Sequence, residues 1–104
     1  MANAIDEYAK LIALFAQTNG VETGQMFGKP CIKVHGKAFL SQHKECVIFK
    51  LTGTVHGTAL ALTGAHLWDP SGKGRPMKEW VAVPGSHTHY AILAKAAHDY
   101  VAAV

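Results

Sequence analysis

Most of the motifs that identify a biochemical class are missing from this sequence. Cys31 and Cys46, its two cysteines, lack the close paired spacing of zinc sites, and two free thiols are favoured over a disulfide. No apolar run approaches the ~18–20 residues that a membrane span needs. The glycine spacings of phosphate loops, dinucleotide loops and nucleophile elbows are also absent. We therefore expect no catalytic residues, no cofactor and no membrane insertion.

The chain is short, and its length predicts one domain. A length of 104 residues fits a single domain over residues 1–104, and 49% hydrophobic residues supply one core. A domain of this size buries only about two-thirds of its unfolded surface, so we expect additional stability from a homodimer. Residues 1–10 carry acids where a secretory signal would carry basic residues, which favours a cytoplasmic location.

Basic residues are concentrated in the middle of the chain. Between residues 29 and 78 there are eight Lys and Arg residues but two acids, and the net charge of the whole chain is +3. Such a region can attract an anionic partner or simply keep a small protein soluble. Nucleic acid is one such partner, because Phe39, Phe49 and Trp80 could stack bases on a sheet. However, Phe49 falls on the apolar side of its strand and no helix concentrates basic residues, so a protein partner is favoured.

Two segments have the periodicity of amphipathic helices. Residues 3–18 repeat apolar side chains at spacings of three and four, with Asn3 as the N-cap. Residues 86–103 do the same, with Ser86 as the N-cap. The predicted buried stripes are Ile5, Tyr8, Leu11, Ile12 and Phe15 in the first helix, and Tyr90, Leu93, Ala94, Ala97 and Val101 in the last.

Between these helices the apolar residues repeat with a period of two, as they do in strands. Residues 30–51 predict three short strands joined by tight turns, which is an antiparallel meander. A short helix over residues 54–62 and two strands, at residues 66–68 and 78–83, follow. The predicted order of elements is α-β-β-β-α-β-β-α, in the α+β class.

Two groups of motifs are similar to those of a known family. The first group reads GQMFGKP (residues 24–30), then GKAF (36–39) and FKL (49–51). The second reads GAHLWDP (residues 64–70), then GRPMKEWV (74–81). In this order and spacing, the motifs resemble the TfoX N-terminal-domain-like family over most of the chain.

The resemblance implies a two-layer fold in which helices pack on one face of a five-stranded, mostly antiparallel sheet. It supplies no catalytic residues and so implies a non-enzymatic regulatory or protein-interaction module. Within or next to the shared motifs, Met26, Phe27 and Trp80 are candidates for an interface or a pocket, because Met and aromatic side chains are enriched there. The same residues could instead pin a loop onto the core.

A second hypothesis, from a different class, is a small anion- or nucleotide-binding protein. The loop GKGR (residues 72–75) places glycine amides beside basic side chains, a combination that can hold a phosphate. The candidate binding residues are Lys73, Arg75 and Lys78. The structural alternative is a glycine-rich connection between two strands, in which Arg75 bonds loop carbonyls or an acid such as Asp69.

Seven histidines raise the question of a metal site. His87 and His89 diverge if they begin a helix, because positions two apart lie roughly 200° around it. Cys31 and His35 share one face of a strand, but no paired ligand motif completes a site there. We therefore predict no metal site and interpret the cysteines as packing residues.

Overall fold

The computed structural model describes residues 4–70, 72–74, 76–84 and 90–103. Within these residues the helices are α1 (Ala4–Phe15), α2 (Gly53–Leu60) and α3 (Tyr90–Ala102). The strands are β1 (Val21–Met26), β2 (Lys29–Val34), β3 (Lys37–His43), β4 (Cys46–Lys50), β5 (His66–Trp68) and β6 (Met77–Pro84). The predicted α+β class is confirmed, and the predicted caps Asn3 and Ser86 lie outside the described residues. None of these helices is long and apolar enough to cross a membrane.

The described strands form one sheet in the order β1-β2-β3-β4-β6-β5. Every pair of neighbours is antiparallel. Two-residue turns join the first four strands, so the predicted meander is one strand longer than expected. The chain then passes through α2 to the edge strand β5, and β6 returns between β4 and β5.

The described residues contain six strands of this sheet, so the prediction of five strands is wrong. The missing strand is β1, which lies where a loop after the first helix is predicted. Glu22, Thr23 and Gln25 are exposed, and none of the side chains in β1 is fully buried. As an edge strand it pairs on one side, with β2, and so lacks the apolar alternation of a half-buried strand. The corrected order is α-β-β-β-β-α-β-β-α.

The helices pack on one face of the sheet, over the main core. Buried side chains from α1, α2 and α3 join those of the central strands in one apolar cluster. Phe39, Phe49 and Val81 are fully buried within it. In α3 all five residues of the predicted stripe are buried, which confirms the prediction for that helix.

The buried stripe of α1 differs from the prediction at two positions. Its buried residues are Ala4, Tyr8, Leu11 and Phe15. Ile5 and Ile12 are exposed, so the prediction that they face the core is wrong. Apolar residues occupy neighbouring stripes of this helix, and periodicity alone does not decide which stripe meets the sheet.

The opposite face of the sheet carries a second, smaller apolar cluster. Its buried centre consists of Ile48, Trp68, Trp80 and Ala82. Partly buried against this centre are Met26, Ala38, Cys46 and Met77. We call these eight residues the tryptophan cluster. All of them belong to strands, so across the described ranges this face is built without helices.

Candidate functional site

The turn between β1 and β2 holds an aromatic residue in a conformation that such residues rarely adopt. Phe27 and Gly28 have φ values of 55° and 74°, and Met26 pairs with Lys29 to close the hairpin. Two positive φ values mark a type I′ turn, whose first central position favours Asn, Asp or Gly. A bulky side chain there crowds the backbone. Phe27 nevertheless occupies this position, and it is 60% exposed.

This turn reaches the strand at the far edge of the sheet. The rings of Phe27 and Trp68 meet edge to face, with their centroids 6.2 Å apart. Because β1 and β5 are the two edge strands, the sheet must curl strongly for these side chains to touch. Trp68 in turn packs on Trp80, with ring centroids 5.8 Å apart. The candidates Met26, Phe27 and Trp80 therefore come together around Trp68, on the concave face of the sheet.

Trp68 is the centre of this arrangement, although sequence reasoning did not select it as a site residue. It is buried and makes ring contacts with Phe27, His43 and Trp80. The available signal was its identity as one of two tryptophans in the chain. A side chain of this size has an apolar body to bury and an N–H group to satisfy, so it needs several partners.

His43 binds the polar end of Trp68. The Nε1–H of Trp68 donates to Nδ1 of His43 over 3.1 Å. An indole nitrogen can only donate, so Nδ1 must be unprotonated and the neutral imidazole carries its proton on Nε2. Burial lowers the pKa of His43, and the nearby charges of Lys29 and Lys44 lower it further. These effects keep the imidazole neutral and preserve the hydrogen bond at neutral pH.

Lysine side chains surround Phe27 and the tryptophan cluster. Nζ of Lys29 donates to the carbonyl oxygen of Phe27 over 3.4 Å. Nζ of Lys50 lies 5.8 Å from the centre of a Trp80 ring, within cation–π distance. Lys44 follows β3 and acts on the same imidazole as Lys29. We call Lys29, Lys44 and Lys50 the cationic rim. The surface thus places an exposed aromatic side chain beside positive charges.

The glycine-rich loop between β5 and β6 already holds a carboxylate. The amide of Gly72 donates to Oδ1 of Asp69 at 3.1 Å, and the amide of Gly74 donates to Oδ2 at 2.8 Å. The hypothesis of an anion site predicts that these same backbone amides bind a phosphate. The candidate Lys73 between them is exposed, and the candidate Arg75 lies outside the described residues. In this conformation an external phosphate would have to displace the carboxylate of Asp69.

Lys78, the third candidate for anion binding, lies near the start of β6. It is exposed on β6, and its carbonyl oxygen accepts the Nε2–H of His56 over 2.8 Å. This hydrogen bond ties α2 to β6. Met77 and Trp80 both belong to the tryptophan cluster although they are three positions apart, and the pairing of β5 with β6 shifts register between them. Regular strand alternation is therefore interrupted here and does not assign Lys78 to either face of the sheet.

The part of the chain that the structure describes has no group of three His, Cys, Asp or Glu side chains able to hold a metal. The candidate histidines His87 and His89 lie outside that part. Cys31 and Cys46 are free thiols two strands apart, roughly 10 Å, which exceeds the ~7 Å that a disulfide allows between Cα atoms. Burial raises the pKa of both thiols, so neither is an activated nucleophile.

Comparisons with protein-family models, with curated proteins and with solved structures gave no match to this chain. The function must therefore be inferred from the surface itself. Its main features are Phe27 at the hairpin tip, the hydrogen bond between Trp68 and His43, and the cationic rim. The polar groups of this surface are lysines and a histidine that already accepts a hydrogen bond from Trp68. Such a combination of an exposed aromatic ring and positive charges is suited to binding a partner molecule.

Proposed function

We propose that this chain is a non-enzymatic regulatory or protein-interaction module of the type that the TfoX N-terminal-domain-like family represents. Two of the motifs that carry this resemblance, at residues 24–30 and 64–70, contain the β1–β2 turn and β5. The curled sheet brings these two segments together at the contact between Phe27 and Trp68. This coincidence of the shared motifs with the candidate surface supports a role for that surface in binding.

The exposed side chain of Phe27 at positive φ carries the proposal. Such a backbone conformation costs on the order of 1 kcal/mol for a residue other than glycine. Trp68 covers only part of the ring, so burial returns a fraction of what a fully buried aromatic side chain would contribute. Asn would suit this turn better and would leave no apolar group in water. A residue that breaks the local rule at an exposed position is typical of a functional site.

The surroundings of Phe27 define the chemistry of the partner. Aromatic side chains at interfaces commonly act as anchors, and the cationic rim favours carboxylates near the contact. Trp68 and Trp80 are only 3% and 5% exposed, so their ring faces are not open to nucleic-acid bases. We therefore expect a protein segment that combines an apolar side chain with acidic residues.

The variant Phe27→Asn separates binding from folding, because Asn-Gly is a preferred type I′ turn. Affinity capture from an extract of the native cells compares this variant with the wild type by quantitative mass spectrometry. We expect the proteins that bind the wild type to be lost, with the variant still folded by circular dichroism. Ile5→Asn, an equivalent change at an exposed position of α1, is the control and should retain them. Full retention by Phe27→Asn would contradict the proposal.

The proposal includes a homodimer that forms through β1. This edge strand has six residues and pairs with β2 alone among the described strands, so the other side of its backbone has no strand partner there. The other edge strand, β5, has three residues and a register shift, features that protect an edge. Antiparallel pairing of two β1 strands would cover the longer edge.

The variant Thr23→Lys tests this dimer, because lysines on exposed edge strands oppose pairing. In light scattering we expect a dimeric wild type and a monomeric variant with unchanged circular dichroism. Lys substitution of Thr58, which is exposed on α2, is the control and should remain dimeric. A wild type that stays monomeric at high concentration would rule out the dimer.

A further inference from the structure

The side chain of Trp68 lies across the concave face, and a histidine holds its polar end. Trp68 belongs to the edge strand β5, and in the order of the sheet two strands, β6 and β4, separate β5 from β3. Its Nε1–H nevertheless reaches Nδ1 of His43, the last residue of β3. The same indole contacts the ring of Phe27 at the tip of the β1–β2 turn. The hydrogen bond to His43 therefore fixes the side chain that supports Phe27.

The direction of this hydrogen bond makes it sensitive to acid. An indole nitrogen only donates, so His43 must accept, whereas a protonated imidazole has two donors and no acceptor. Protonation would therefore place two donors 3.1 Å apart. Trp68 is only 3% exposed, so its N–H would be left without a partner where water scarcely reaches it, which costs free energy. The indole regains an acceptor when it moves outward to water.

Two other histidines show that this sensitivity is specific to the position of His43. Nδ1 of His66 lies 3.1 Å from the carbonyl oxygen of Gly64, and Nδ1 of His98 lies 3.0 Å from Oδ1 of Asp99. Oxygen is the acceptor in both pairs, so the imidazole donates. Each of these hydrogen bonds can therefore persist when the ring is protonated, whereas the one between Trp68 and His43 cannot.

The charges around His43 favour the same outcome. The charged or titratable groups on the segments that surround its ring, from β2, the β3–β4 turn and β4, are Lys29, Lys44, Glu45 and Cys46. At the same level of the sheet β1 and β6 contribute Met26 and Pro84, whose side chains do not titrate. The two lysines act directly on the imidazole and repel its charged form. Once the ring is protonated, this repulsion adds to the loss of the hydrogen bond.

We propose that His43 is a positioning residue whose protonation releases Trp68 and thereby switches off binding through Phe27. This regulation rests on the proposed function, because it concerns the surface that Phe27 anchors. In the neutral state the indole lies across the concave face and supports the aromatic ring at the turn. In the protonated state that support is withdrawn, Phe27 is no longer held in place, and the affinity for the partner falls.

Heteronuclear NMR spectra of the full chain between about pH 7 and pH 5 test the release without any partner. Ring resonances of His43 report its protonation, and the indole N–H of Trp68 and the amide of Phe27 report the release. We expect all three to change with one midpoint below 6.5, the ordinary pKa of histidine. Amides of the main core, such as those of Phe49 and Val81, should keep their shifts. The proposal is overturned if the ring titrates while the indole N–H keeps its shift, or if the ring stays neutral throughout.

Substitutions of His43 separate its charge from its role as an acceptor. His43→Asn places an amide oxygen where Nδ1 lies, so the variant accepts the indole N–H and should keep the neutral-state shifts down to about pH 5. His43→Lys carries a charge and no acceptor, and should show the released shifts of Trp68 already at about pH 7. His66→Asn is the control and should titrate as the wild type does. If His43→Asn titrates in the same way as the wild type, the proposal fails.

Binding is measured with the proteins that the wild type captures at pH 7 and that Phe27→Asn loses. At about pH 5, capture by the wild type should fall about tenfold, because a buried hydrogen bond is lost, and His43→Asn should retain it. An equal loss with both proteins would place the titration in the partner and overturn the proposal. If Phe27→Asn loses no protein at pH 7, the proposed function fails instead, and the NMR titration still decides whether His43 releases Trp68.

Discussion

The two faces of the sheet are built from the same strands but are covered in different ways. On one face, helices bury the side chains of Phe39, Phe49 and Val81 in the main core. On the other, the curl of the sheet and the β1–β2 turn cover the tryptophan cluster. The difference teaches that a small sheet can place a stabilising core on one face and keep a partly open, chemically varied surface on the other.

The central strand β4 shows this division residue by residue. Val47 and Phe49 belong to the main core, whereas Cys46 and Ile48 belong to the tryptophan cluster. Successive side chains of β4 therefore point alternately into the main core and into the tryptophan cluster. Substitutions at neighbouring positions of β4 can compare the faces without changing the strand that carries them.

The largest effect is expected for Phe49→Ala in the main core. Phe49 is fully buried and stacks on Tyr90, with 5.8 Å between the ring centroids. Its truncation removes apolar contacts and leaves a cavity, which costs about 3–5 kcal/mol of unfolding free energy. Native domains have only about 5–15 kcal/mol in total, so the variant should unfold at much lower urea concentration by circular dichroism.

Ile48→Ala is the paired change on the concave face. Ile48 is also fully buried, but fewer atoms are removed, and we expect a cost of about 2–3 kcal/mol in the same urea titration. If Ile48→Ala costs as much as Phe49→Ala although it removes fewer atoms, the concave face contributes at least as much to stability as the main core. The contrast between a stabilising face and a binding face would then fail.

Trp68→Phe should have the next largest effect, because it removes a hydrogen bond and part of a buried side chain. The loss of the donor to His43 and of the smaller ring of the indole should together cost about 1–2 kcal/mol. Trp80→Phe removes the same ring but not that hydrogen bond, so it should cost less. Urea titrations of both variants check the order, and equal costs would show that the hydrogen bond contributes nothing.

Acidification should weaken the concave face before the main core. The pKa of His43 in the folded protein lies below its ordinary value of 6.5. The folded state therefore binds fewer protons than the unfolded state as the pH falls through this value. The stabilising contribution of the neutral imidazole is present above pH 6.5 and is lost progressively as the pH falls toward the folded-state pKa.

His43→Gln isolates this effect, because an amide oxygen can accept the indole N–H of Trp68 without titrating. The groups that act on His43 are Lys29, Lys44 and Trp68, and all three remain in the variant. Urea midpoints between about pH 7 and pH 5 should fall more steeply for the wild type than for the variant. Parallel profiles for the two proteins would show that His43 does not control the stability of this face.

The elements that the sequence predicts correctly are those whose own residue pattern shows which face is buried. The stripe of α3 follows from helical period alone, and all five of its predicted residues are buried. The strand β1 could not be predicted in this way, because Glu22, Thr23 and Gln25 face solvent at the edge of the sheet. Its pairing with β2 supplies the stability that its own pattern does not indicate.

The candidate surface was only partly predictable, because it too depends on contacts between segments that are distant in the sequence. Met26, Phe27 and Trp80 could be chosen by residue type, because Met and aromatic side chains are common at interfaces. Their meeting around Trp68 depends on the curl of the whole sheet, which no local pattern encodes. The hydrogen bond from Trp68 to His43 spans 25 positions of the chain and depends on the same curl.

Phe27→Asn has the smallest expected change in stability. It nevertheless tests most directly whether the concave face serves binding or folding. Asn relieves backbone strain of about 1 kcal/mol at positive φ. It also removes the edge contact with Trp68, which is worth about 0.5–1.5 kcal/mol. Since these effects oppose each other, the melting temperature should shift by only a few degrees. His35→Asn is the control at the equivalent position of the next hairpin, where φ is 51° and Gly36 follows.

A loss of more than about 2 kcal/mol in Phe27→Asn would exceed the aromatic contact itself. Phe27 would then be a structural link between the edges of the sheet, and the interaction proposal would lose its main support. If instead the stability is unchanged while the captured proteins are lost, folding does not require the aromatic ring at this turn. The concave face would then tolerate the loss of an aromatic side chain at the exposed position of Phe27, whereas the loss of the buried Phe49 costs about 3–5 kcal/mol in the main core. This difference is expected if Phe27 contacts a partner and contributes little to the fold.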